Sequence, residues 1–110
     1  MMTFDEYQQA ARRTAQYPDA GRNLYYPTLG LAGEAGEVAE KVKKLMRDAG
    51  GELTSERRDA LKKELGDVLW YVAALCSELD LEMGEVAVLN IEKLQDRKDR
   101  GRLHGDGDNR

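Results

Sequence analysis

Residues 30–40 read GLAGEAGEVAE, and residues 61–68 read LKKELGDV. The two stretches share one pattern at a spacing of thirty residues: Leu31-x-x-Glu34-x-Gly36-Glu37-Val38 and Leu61-x-x-Glu64-x-Gly66-Asp67-Val68. At about 100° per residue, the apolar stripe of the first helix runs through Leu31, Ala35, Val38, Val42 and Leu45. That of the second runs through Leu61, Leu65, Val68, Val72 and Leu75. Glu34 and Glu64 fall at the edge of these stripes and Glu37 and Asp67 just beyond, whereas Glu40 lies opposite, where a solvated glutamate belongs. If the helices pack as antiparallel neighbours, four carboxylates face one another across the seam.

Glycine reinforces this reading. Gly30, Gly33 and Gly36 each destabilise a helix interior by about 1 kcal/mol relative to alanine, so something other than helix propensity sets them. Gly36 and Gly66 precede the second carboxylate of each pair, where a missing side chain lets backbones approach or leaves room for a ligand. One i, i+3 acidic pair is an ordinary solvated surface feature. Two pairs in matching register predict a metal site, because four ionised groups held together require bound cations or protons. All the ligands are oxygens, which suits magnesium, manganese or calcium rather than zinc.

Around this pair the chain predicts two further helices. Thr3 and Glu6 form a capping-box pattern that starts a helix over residues 3–16, and Pro18, Gly21 and Asn23 mark a loop from Tyr17 to Tyr26. The second helix starts at Pro27 or Thr28 and runs to Asp48, stopped by Gly50-Gly51. Thr54 or Ser55 caps the third, which reaches Leu79, and Asp80 caps a fourth ending near Lys98. No segment alternates as a strand does. The expected fold is all-α, a four-helix bundle protomer formed by a single domain over residues 1–99. Residues 100–110 end in GRLHGDGDNR, too polar to bury themselves, and read as a mobile tail or a flap that orders on ligand binding.

The composition narrows the function. With 110 residues, 35% of them charged, and a net charge of -4, the chain lacks the basic excess of a protein that binds a nucleic-acid polymer. The lone cysteine, Cys76, excludes an internal disulfide and a cysteine-rich zinc site, and it reads as a small buried apolar residue rather than a nucleophile. No apolar run resembles a signal peptide or a membrane span, so a cytoplasmic protein is expected. The single histidine, His104, stands in the tail, which excludes paired Glu-x-x-His di-iron sites and a Ser-His-Asp triad. No P-loop motif occurs.

On the fourth helix the apolar stripe passes through Met83, Val86, Ala87 and Leu94, with Asn90 in its middle. A buried asparagine needs a partner in the core or a ligand. Lys93 and Arg97 follow on the same side, either gripping phosphate oxygens or covering the core edge with their stems. The third helix is apolar nearly all round from Leu65 to Cys76, and Trp70 lies opposite its stripe. That helix is therefore sandwiched centrally or buried against a second subunit, and a homodimer or tetramer is expected. Trp70 either packs in this way or stacks on a base.

Taken together, the chain resembles the MazG-like nucleoside triphosphate pyrophosphohydrolases, an all-helical superfamily with an E-x-x-E, spacer, E-x-x-D signature. Here the signature is Glu34-x-x-Glu37, 26 residues, then Glu64-x-x-Asp67, in the contexts GLAGEAGEVAEKVKK, KKELGDVLWYVA and NIEKLQDR, with a GDGDNR ending. The resemblance implies Mg2+-dependent cleavage, with Mn2+ as a substitute, between the α and β phosphates of a nucleoside triphosphate. The products would be a monophosphate and pyrophosphate, in a housekeeping role on the nucleotide pool. It implies that Glu34, Glu37, Glu64 and Asp67 are metal ligands and catalytic groups, and that Asn90, Lys93 and Arg97 contact the nucleotide. The rival reading is a non-catalytic helical bundle that binds nucleotide or a protein partner.

Overall fold

Thr3 starts the first helix as its sequence predicts. Its hydroxyl accepts from the Glu6 amide at 3.1 Å, and the Glu6 carboxylate accepts from the Thr3 amide at 2.8 Å. The computed structural model describes residues 1–110 and contains four helices: α1 (Phe4–Arg13), α2 (Tyr25–Ala49), α3 (Ser55–Glu78) and α4 (Met83–Asp99). There is no strand, and no helix is long and apolar enough to cross a membrane. The all-α expectation is met.

Two helix starts differ from expectation. α2 begins at Tyr25 rather than at Pro27 or Thr28. Pro27 fits within its first turn because backbone amides there have no intrahelical acceptor. Asp80 does not cap α4: it occupies the preceding turn at φ 55°, and Glu82 is the cap residue with no side-chain bond of its own. The missing bonds come from α1. Asp5 Oδ1 accepts from the Gly84 amide and Gln8 Oε1 from the Met83 amide, each at 2.8 Å, while Gln8 Nε2 donates to the Leu81 carbonyl at 2.9 Å. One turn of α1 thereby seats the start of α4.

α3 runs through the centre, with α2 along one side and α1 along another, and α4 docked on α1. This sandwich accounts for part of the all-round apolar character of α3, while Leu65 stays 56% exposed. The core is small, built from Ala11, Ala73, Cys76 and Met83, with Tyr7, Leu69, Trp70 and Val72 against it. Burial pushes the Cys76 thiol above its ordinary pKa, so it packs as a neutral apolar group.

Gly30 is where α2 and α3 approach most demandingly: a Cβ there would sit 2.2 Å from Cε1 of Tyr71. Close approach does not account for Gly33, Gly36 and Gly66, which have nothing within 4 Å of a built Cβ. The predicted stripes are also only partly covered. Leu31, Val38 and Leu45 are half-buried, whereas Ala35, Val42 and Leu65 are exposed, because one helix cannot cover the whole stripe of its neighbour. Asn90 is exposed rather than buried, since α4 rests mainly on α1.

Candidate functional site

Local helix geometry brings the acids together. Glu34 lies on α2 and Glu64 and Asp67 one turn apart on α3, and one carboxylate oxygen from each falls within 4.8 Å of the others. Glu37, a turn beyond Glu34, is exposed and outside this trio. Lys41 does not pair with Glu37 at i, i+4 but reaches across the seam to Glu64 at 3.8 Å. Glu40 is taken up by Lys43 at 2.9 Å and Lys44 at 3.6 Å on the solvent side.

The Glu34 carboxyl is held above its ordinary pKa, first by desolvation, then by its contact with Glu64 and by the charges of Asp67, Glu64 and Glu37. Desolvation is the larger cause, and the neighbouring carboxylates add to it. A donor set of oxygens alone, with excess negative charge, is one that could hold a hard divalent cation.

Beside the trio, an open cleft of about 350 Å³ is lined by Thr14, Glu34, Asp67, Trp70 and Tyr71. Two acids and two aromatic rings thus share one cavity. Trp70 Nε1 donates to the Thr14 hydroxyl at 2.8 Å, and the Tyr71 ring stands nearly perpendicular to Trp70, with centroids 5.1 Å apart. Burial, then Tyr26, Glu34 and Asp67, raise the Tyr71 phenol pKa and keep it a neutral donor. Tyr71 and Thr14 are as much part of the wall as Trp70. By contrast, Tyr25 and Leu29 do not line it and are 76% and 71% exposed.

The loop between α1 and α2, which backs this wall through Tyr17, is anchored by a residue with no evident motif, Glu78. Its carboxylate accepts from the Tyr17 hydroxyl, from Arg12 Nη2 at 3.1 Å, and from the amides of Gly21 and Asn23, each at 2.8 Å. Tyr17 in turn stacks on Tyr26 at 4.8 Å and meets the edge of Trp70.

Asn90, Lys93 and Arg97 stand on the distal part of α4. Arg97 is buried beneath the tail and donates to the carbonyl of Asp108, whose carboxylate also meets Lys93 at 2.7 Å and Arg97 at 3.3 Å.

Residues 27–101 match the MazG nucleotide pyrophosphohydrolase domain, so the chain belongs to that family. The match takes in both acidic pairs and the polar strip of α4. The chain is also 54% identical over 114 residues to the Gene 37 protein of Mycobacterium phage L5, spanning 99% of this chain and 100% of that one. No solved structure matches it.

Proposed function

We propose that this chain hydrolyses a nucleoside triphosphate between its α and β phosphates, with Mg2+ as cofactor and Mn2+ as a substitute. Water and the triphosphate become a nucleoside monophosphate and pyrophosphate, as the α–β bridging P–O bond breaks. The observation that carries this reading is the convergence of Glu34, Glu64 and Asp67 at a cleft walled by Trp70 and Tyr71.

The donor set fits magnesium: its ligands are carboxylate oxygens, one from each of three acids gathered within 4.8 Å of one another. Glu34, Glu64 and Asp67 would hold the metal, with Glu37 as a fourth ligand reached by a rotamer change. The bound metal would supply charge neutralisation and a water of lowered pKa. The chain's own residues do the rest. Trp70 and Tyr71 offer ring surface to the base. Lys93 and Arg97, with Asn90 as a neutral partner, suit the phosphate oxygens, where two positive charges would stabilise the departing pyrophosphate. Such a reaction belongs with the nucleotide pool of the cytoplasm, and a homodimer or tetramer is the assembly in which it would run.

The experiment is pyrophosphate release from a panel of (d)NTPs with and without magnesium. Release is expected only with the metal, and Glu37→Gln or Asp67→Asn should lower kcat by about a hundredfold or more while the helical circular dichroism is unchanged. Full activity in those variants would remove the site. No release from any nucleotide would leave a non-catalytic bundle.

A further inference from the structure

The tail and α4 enclose a second cavity, about 210 Å³, in which Lys93, Arg97, Arg100 and Arg110 face only Asp96 and Asp108. Asp96 is taken by Arg100 at 2.8 Å. Among the side chains, that leaves three cations and a single carboxylate. Arg97 is the most enclosed of the three, its side chain 5% exposed, and a buried guanidinium requires an anion. Asp108 fills that role from an open position: its side chain is 78% exposed, and Lys93, then Arg97, hold its carboxyl below the usual range. Arg110 donates to the carbonyls of Gly107 at 2.6 Å and Leu103 at 2.9 Å, which folds the tail into a loop. Its Nε is buried with no partner, a donor short of an acceptor.

We propose that Lys93, Arg97 and Arg110 form a polyphosphate seat, that Asp108 is its internal occupant in the free protein, and that a phosphate group displaces Asp108 and takes Arg110 as a third cationic contact. This deepens the proposed hydrolysis and rests on it, since there Lys93 and Arg97 already meet phosphate. It adds Arg110 as a binding residue and Asp108 as a competitor. The exchange is favourable because an exposed carboxylate contributes little to an ion pair, whereas a phosphate brings more charge and more acceptor oxygens to the same cations. It also accounts for the GDGDNR ending, whose glycines at φ 135° and 83° let the chain turn so that Asp108 returns to α4 and Arg110 folds back over the tail.

The test is calorimetric titration of the full-length protein with sodium tripolyphosphate in metal-free buffer, which needs no turnover. Asp108→Asn removes the competing charge at nearly constant shape and should tighten binding about fivefold, and Arg110→Gln should weaken it about fivefold, each the equivalent of one modest charge contact. If the tail merely braces α4, Asp108→Asn will lower the melting temperature and leave tripolyphosphate affinity unchanged or weaker, and the seat is refuted. If both affinity shifts appear while no nucleotide is hydrolysed, the seat stands and the catalytic reading falls.

Discussion

Glu78 ends α3, where the helix dipole is least favourable to a carboxylate, yet its side chain is only 1% exposed. Burial opposes its ionisation, but bonds from Tyr17, the Gly21 and Asn23 amides and Arg12 prevail and hold its pKa at about 2 against an ordinary 4.5. A carboxyl whose folded pKa is depressed stabilises the fold above its unfolded value, and that contribution is lost as pH falls through the folded one. Glu78→Gln should therefore destabilise the protein by about 3 kcal/mol at neutral pH, by leaving donors of the loop mispaired. Thermal unfolding across pH checks this: the gap between the two proteins should narrow as pH drops from 4.5 toward 2. A constant gap would show that Glu78 folds without its charge. Glu78 is silent in the sequence because its partners lie 55 to 66 residues away, in α1 and a loop. Glu34, Glu64 and Asp67 are legible because helical periodicity alone puts the first two at the edge of a stripe and Asp67 just beyond it.

Among the elements, the α2–α3 hairpin is the unit that makes the cleft, and its glycines divide by what they face. Alanine at Gly30 would drive a methyl into the Tyr71 ring, 2.2 Å from Cε1, in the wall of the site. Overpacking of this kind costs about 2 kcal/mol, more than the roughly 1 kcal/mol of helix propensity gained. Gly36→Ala meets open space in the protomer and should stabilise it by about 0.5 to 1 kcal/mol. Urea denaturation of the two variants therefore gives opposite signs. A stabilised Gly30→Ala would mean that Tyr71 swings aside freely, and that the wall is not rigid. The same contrast explains what the sequence conveys about the elements. Capping boxes and glycine stops are local signals and set most helix ends within a residue or two. The start of α4 is not local, because Asp5 and Gln8 hold its first amides from about 75 residues away.

At the scale of the molecule, 8 of 110 residues are buried, a small core for a chain of this size. The uncovered apolar surface is concentrated on faces that the four helices leave to solvent. On α4, Val88, Leu89 and Ile91 are 56%, 57% and 64% exposed, and on α2, Met46 is 71% exposed. Exposed apolar side chains grouped on one helix mark a candidate interface. The homodimer or tetramer proposed above would place a second copy of the chain on these faces, since a self-complementary patch closes with two-fold symmetry. The sequence shows that such faces exist and says nothing of what covers them, because helical periodicity does not distinguish a core from an interface. Light scattering at micromolar concentration should give a multiple of the 12.4 kDa chain mass, with a melting temperature that rises with protein concentration. Leu89→Glu combined with Ile91→Glu should shift the population toward monomer and lower that temperature. A wild-type monomer whose melting temperature is independent of concentration would exclude the assembly, and the exposed face of α4 would then require a different partner.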